Sequence, residues 1–317
     1  MLGKIKILLK GINVFLNDYL FFVENSNIGI SKITEAKLLS TLIASYHIIE
    51  KGLSMPNRRL GFGRDVMKAL IRKCNDYASK YGVGNEQFQY AIAIIKEYDN
   101  LHKQSNYSLD EDLQLSINKL INYYDYPAAM QTVMSKEEFF GHTNDSFDLF
   151  SSSRHSTRHF SGKVETSRLL DALDLAKNAP SACNKQIVKS YIITNPDITK
   201  KILDLQQGNR GFGHLIDKLI VITTKYCGCT RYSDRFYPFV DAGIYSMNVL
   251  YSLHFYKIGA IPLVWLSTKE RDKQLRKYID AKNEEIPSLI IGVGDIADNV
   301  ICANSPRKSI KETVIVR

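Results

Sequence analysis

Residues 189–224 read KSYIITNPDITKKILDLQQGNRGFGHLIDKLIVITT, and the change of period inside this stretch decides the fold. It opens on Lys189–Thr194 (KSYIIT) and closes on Leu219–Thr224 (LIVITT), two β-branched runs typical of buried strands. Between them Ile198–Gln206 carries apolar residues at helical spacing, and Gln207–Gly213 holds three glycines, at 208, 211 and 213. Strand, helix, glycine-rich turn and strand make the repeating unit of a layered α/β domain. Working outward, the same reading predicts a strand at Pro287–Val293 (PSLIIGV) and helices at Thr166–Lys177 and Asp241–Tyr256. Toward the N-terminus the pattern stops at Phe140–Ser153 (FGHTNDSFDLFSSS), whose Gly, Asn, Asp and Ser content predicts a linker.

Before that linker the period is helical throughout. Ile33–Ile49, Val66–Tyr77, Glu86–His102 and Leu113–Tyr124 repeat apolar residues at helical spacing, and no alternating strand stands out. The fold class expected is therefore α+β: an all-α N-terminal domain over 1–145 and an α/β layered domain over 146–317. Residues 2–23 are apolar but interrupted by Lys4, Lys6, Lys10, Asn13, Asn17 and Asp18, which argues against a continuous membrane span. No small-residue cleavage site follows, which argues against a signal peptide. The favoured expectation is an amphipathic helix packed on its own domain. The alternative is a helix resting on a membrane surface through its lysines.

The bulk properties set wide bounds. The chain has 317 residues, 44% hydrophobic and 24% charged, as in an ordinary chain able to bury a core. Its 42 basic and 33 acidic residues leave a charge of +9, which favours anionic partners such as phosphate cofactors. No basic stripe interleaved with aromatics marks a nucleic-acid motif, so nucleic acid is not expected. The five cysteines, Cys74, Cys183, Cys227, Cys229 and Cys302, are odd in number and scattered, which suits a reducing cytoplasm better than a disulfide framework. Cys227-Gly228-Cys229 has no further ligands at metal spacing and reads as structural.

Five segments can carry chemistry. Arg154-His155-Ser156-Thr157-Arg158 places two guanidiniums, an imidazole and a hydroxyl within five residues, a donor set for a phosphate monoester. It reads equally well as a basic, solvated linker end. Pro180 ends a helix, which puts Ser181 and Asn184 of PSACNKQ on a loop at a strand entrance, or simply in a helix-to-strand turn. The glycines of GNRGFG allow close backbone approach to a flat ligand, and Asn209 can hydrogen-bond a ring carbonyl. Residues 257–265, KIGAIPLVW, read as a glycine turn and an apolar strand. Arg307 and Lys308 form a late basic pair.

Taken in this order, the five segments resemble the nitroreductase family from about Ser151 to Arg317. RHSTR at 154–158 is similar to the family's opening phosphate motif, PSACNKQ at 180–186 to its PSxxNxQ signature, and GNRGF at 208–212 to the segment that places an asparagine at the flavin ring. AIPLVW at 260–265 resembles the strand along the isoalloxazine. The resemblance implies an FMN-dependent oxidoreductase working as a homodimer, with the flavin at the shared interface and NAD(P)H and a small-molecule substrate as partners. It implies that Arg154, His155, Ser156 and Arg307 hold the phosphate, and that Arg158 reaches the N1–C2 edge as a cation favouring reduction. By the same resemblance Asn209 bonds the pyrimidine edge. Pro262, Leu263, Val264 and Trp265 pack near the ring, and Pro180, Ser181 and Asn184 come from the other subunit. No side-chain nucleophile is implied, because hydride passes through flavin N5 to or from a substrate the sequence does not identify.

Two departures from the family pattern are visible. Ile187-Val188 stand where Pro-Trp often follows the signature, and Val264-Trp265 stand where many relatives have an acidic residue and glycine. A tryptophan there is expected to crowd the substrate side. The cluster from His47 to Asp65 reads either as a basic lid or as a helix–loop–helix held by local ion pairs. It resembles a helical extension on nitroreductase-like proteins encoded with enzymes of surface polysaccharide biosynthesis. A reading from another class is a flavin-binding scaffold or membrane-surface partner with little turnover.

Overall fold

The computed structural model describes residues 2–28, 32–123 and 130–317. The chain forms two compact units, one of Met1–Ser54, Arg58–Thr132 and Ala303–Arg317, the other of Met55–Asn57 and Val133–Cys302.

The first unit is built on helices α1 (Leu2–Asn25), α2 (Glu35–Leu53), α3 (Arg64–Tyr81), α4 (Glu86–Gln104) and α5 (Glu111–Ile121). Tyr124, the expected end of the fifth helix, lies outside the described residues. Local chemistry sets the helix starts. Thr34 caps α2 by accepting from the Lys37 amide, and Asn85 caps α4 by accepting from the Gln87 amide. Leu38, Leu42, Ile49 and Leu53 of α2 share one stripe and pack with Met67, Leu70, Phe88, Ile92 and Ile117 in a single core. The C-terminal segment returns to this unit because Glu50, fully buried, accepts from both the backbone amide (2.8 Å) and the hydroxyl (2.9 Å) of Ser305. Only a long-range contact of this kind places residues 303–317 with the helices, and no local pattern announces it.

Helix α1 departs from the favoured expectation. Most of its apolar side chains stay open to solvent: Leu8 and Ile12 are each 63% exposed and Phe22 is 57% exposed, while Val14 and Val23 are half-buried. Helices α2 to α5 close their core among themselves. Helix α1 is tied at its foot, where the Lys37 ammonium donates to the Glu24 carbonyl at 2.7 Å. Among the described residues no helix is long and apolar enough to cross a membrane.

The second unit carries β1 (Gln131–Ser135), α6 (Lys136–Phe139), α7 (Phe147–Ser153), β2 (Phe160–Gly162), α8 (Thr166–Ala176), β3 (Lys189–Ile193), α9 (Pro196–Gln206), β4 (Lys218–Lys225), α10 (Tyr237–Phe255), β5 (Gly259–Val264), α11 (Lys269–Tyr278), β6 (Glu285–Ile296) and β7 (Asn299–Ala303). A short helix, α12 (Ile310–Thr313), follows in the C-terminal segment. The main sheet runs β3–β4–β6, with β5 and β2 each paired to β6 as well, and all four of these pairings are antiparallel. Strand β1 was not expected. Its partner β7 is remote in sequence, so no local period reveals it. The expected linker at 140–153 contains α7.

Both faces of the sheet are covered, which is why its strands read as continuous apolar runs. Along β4, Leu219 and Val221 point to a core completed by Ile202 and Leu203 of α9 and Leu275 of α11. Ile220 and Ile222 point to the opposite core, with Leu169 of α8 and Val249 and Leu253 of α10. Strand β5 lies at the sheet edge, where the missing N–H of Pro262 costs no ladder bond.

Candidate functional site

The chain leaves α7 at Ser153 and turns extended at Arg154. The segment that follows is held against the edge of β5, because the Thr157 amide donates to the Ala260 carbonyl at 3.2 Å. Burial then splits the motif. Arg154, His155 and Ser156 are half-exposed, whereas Thr157 and Arg158 are buried, the arginine only 5% exposed. The Arg158 guanidinium carbon sits 6.0 Å from the ring centroid of Phe212, so the first motif meets the glycine turn.

That turn has two positions that require glycine. Gly211 holds φ +90°, and a Cβ at Gly213 would lie 2.2 Å from Asn209 Oδ1. The Asn209 amide nitrogen donates to the Leu203 carbonyl at 2.7 Å and to Gln206 Oε1 at 3.1 Å, closing the end of α9. In this arrangement the side chain shapes the turn. Gln206 in turn donates to the Val264 carbonyl at 3.0 Å, which ties the turn to the end of β5.

The 262–265 stretch alternates as an edge strand must. Leu263 is buried and Val264 is 65% exposed. Trp265 does not crowd the open side: it is 7% exposed, packs in the core with Ile261 and Leu263, and donates from Nε1 to Asp272 at 2.7 Å. Position 265 falls on the inward phase of the strand, which decides where the indole goes. Strand β5 therefore meets two of the other motifs, the basic segment 154–158 at its start, by Ala260, and the glycine turn at its end, through Gln206 and Val264.

The loop 180–186 is placed elsewhere. Its contacts run to the start of α10 and to the turn after β4: the Ala182 amide donates to both carboxylate oxygens of Asp241 (3.2 and 3.1 Å), and the Lys185 ammonium donates to the Gly228 carbonyl at 2.6 Å. Cys183, Asn184 and Gln186 all hold positive φ, at 52°, 56° and 48°. Polar side chains maintain this unusual backbone. Ser181 Oγ accepts from the Gln186 amide at 2.9 Å, and Asn184 Oδ1 accepts from Gln186 Nε2 at 3.0 Å. Pro180 and Asn184 stay exposed, and Ser181 is half-buried. Arg307, the remaining expected phosphate ligand, is exposed and belongs to the helical unit.

One residue escaped the sequence reading. His254 of α10 is buried and lies 2.9 Å from the Ser153 hydroxyl through Nε2. Burial, and then the charges of Arg154 and His155, hold its imidazole down to about 4, so it is neutral near pH 7. The ring packs beside Phe139, Phe140 and Phe150. A histidine inside an otherwise apolar helix was the available signal, but only folding brings it beside Ser153.

The cluster from His47 to Asp65, whose residues 55–57 belong to the second unit, is held in the helical unit by one near and one distant partner. His47 pairs with Glu50 at 2.7 Å, and the Gly61 amide donates to Nε2 of buried His102 at 2.8 Å.

These three segments can be set beside known proteins. Residues 152–209 match the model of the nitroreductase family. The match begins at the end of α7, takes in the basic segment and the 180–186 loop, and stops at Asn209. The β5 segment and Arg307 lie outside it. No curated protein matches the chain. Among solved structures, a nitroreductase family protein from Streptococcus pneumoniae aligns at 18% identity and a TM-score of 0.46, over 54% of this chain and 100% of its own. An FMN-dependent nitroreductase from Clostridium difficile aligns at 19% identity and a TM-score of 0.41, over 46% of this chain and 86% of its own.

Proposed function

We propose that the α/β unit is an FMN-dependent oxidoreductase. The observation that carries this reading is that the basic segment 154–158 lies along the start of β5 and meets the glycine turn at Phe212, while Gln206 beside that turn holds the exposed end of the strand. The residues present fit the group. Arg154, His155 and Ser156 are half-exposed donors suited to a phosphate, and Arg307 enters this reading from the family resemblance alone. Arg158 is a buried cation, and its field is little screened there, so it would favour a reduced, more negative ring held beside it. Pro262 and Val264 offer an apolar surface at the open edge of the sheet. Asn209 would have to release Leu203 and Gln206 before it could bond a pyrimidine edge. Bound there, FMN would accept hydride at N5 from NAD(P)H or another donor and pass it to a small-molecule substrate.

The same geometry supports a shared site between two copies. The 180–186 loop is fixed to the start of α10 by Asp241, and this helix exposes Phe239, Val240, Ile244 and Met247. Pairing of α10 faces would bury these side chains and carry the loop into the partner's site. A cytoplasmic homodimer is the assembly proposed. The link to surface polysaccharide rests on the resemblance of the helical extension alone.

The direct test is the absorption spectrum of the purified protein, where flavin bands near about 450 nm are expected. A colourless protein that takes up no added FMN overturns the reading. Arg154→Ala and Arg307→Ala should each weaken FMN retention by roughly tenfold, the loss of one charge-assisted contact; unchanged retention on gel filtration would remove that residue from the phosphate site. Anaerobic mixing with NADH and with NADPH then tests turnover. Bound flavin bleached by neither donor would leave a flavin-binding scaffold.

A further inference from the structure

Helix α1 has a polar stripe and little else that is polar. Lys6, Lys10, Asn13, Asn17 and Glu24 recur at intervals of four, three, four and seven residues, which keeps them on one line along the helix. The opposite face carries Leu8, Ile12, Tyr19 and Phe22, with Leu9 and Leu16 on one side between it and the stripe, all exposed. Exposure also extends to both flanks of the stripe: Leu20 lies on one side of it and Phe21 on the other. One partner helix covers a single face and would leave a flank in water. A lipid surface covers the face and both flanks together, with only the stripe left at headgroup level. Lys6 and Lys10, the two lysines of the stripe, both fall in the first half of the helix, so that end complements anionic headgroups, while Lys4 lies on the apolar side close to the helix start. A transverse orientation is excluded by Lys10 and Asp18, which would sit in hydrocarbon.

We propose that α1 is an in-plane anchor that binds the surface of an anionic membrane. Its 24 residues span about 36 Å along the surface. The lysine stems run out of the apolar layer and carry their ammonium groups to the phosphates. The proposal stands apart from the flavin reading, because its readout is partition onto lipid and involves no cofactor.

The test is flotation of the full chain with phosphatidylcholine vesicles, with and without about one-third phosphatidylglycerol. The protein should float with the anionic vesicles, far less with the neutral ones, and less again in high salt. Lys6→Gln and Lys10→Gln should each weaken binding roughly fivefold. Leu9→Asp with Leu16→Asp should abolish flotation while leaving the thermal melt unchanged, since these side chains are exposed in the fold. Three results overturn the proposal: no flotation with anionic vesicles, flotation that survives the double aspartate variant, or an oligomer that this variant dissolves in a protein that never binds lipid. The last would assign α1 to a second copy of the chain.

Discussion

At the scale of single residues, His254 shows how burial sets chemistry. An unfolded chain would protonate this imidazole near 6.5, but the fold does so only near about 4. Between these values the unfolded state binds more protons, so stability is full above 6.5 and drains as the pH falls toward 4. The loss is on the order of 3 kcal/mol. His254→Gln can keep a bond to Ser153 without titrating. Melts of this variant from pH 7 to 4 should show a shallower acid slope, and an identical slope would mean the histidine is not the responsive group. Nothing in the residues around His254 announces this role, because Ser153 lies 101 positions away. Trp265 makes the opposite point. The sequence places an indole near the flavin strand, yet the phase of β5 turns it into the core, where Asp272 takes its N–H.

At the scale of elements, the starts of helices were legible and their partners were not. Thr34, Asn85 and Asn195 each stand at a helix start and cap it, as local chemistry dictates. The residues that join distant elements carry no such mark. Glu50 reads as an ordinary helix residue, yet it is fully buried and holds the C-terminal segment through Ser305 and pairs with His47. Glu50→Ala would leave these donors without their acceptor and should cost the helical unit roughly 3 kcal/mol. Trypsin should then cut faster after Arg307 and Lys308. Cleavage at the native rate would show that other contacts hold the segment.

At the scale of the molecule, the exposed apolar face of α10 is the feature a lone chain leaves unexplained. Ile244→Asp places a charge in that face and should turn a dimer into a monomer in sedimentation analysis. If the flavin site is shared, FMN should be lost in the same step. A monomeric wild type would remove the two-fold site, while FMN kept by a monomeric variant would show that one chain suffices. Periodicity in the amino-acid order was enough to announce the helical first part, the layered second part and the strands and helix of residues 189–224, since these depend on neighbours within a few positions. Motif chemistry likewise marked the basic segment and the glycine turn. Which motifs meet was a matter for folding alone. The antiparallel sheet brings 154–158, 208–213 and 262–265 to one edge, sends 180–186 to α10, returns residues 303–317 to the helices and leaves α1 exposed. Each of these depends on contacts between residues far apart in the chain, where burial and register decide the outcome and local propensity carries no information.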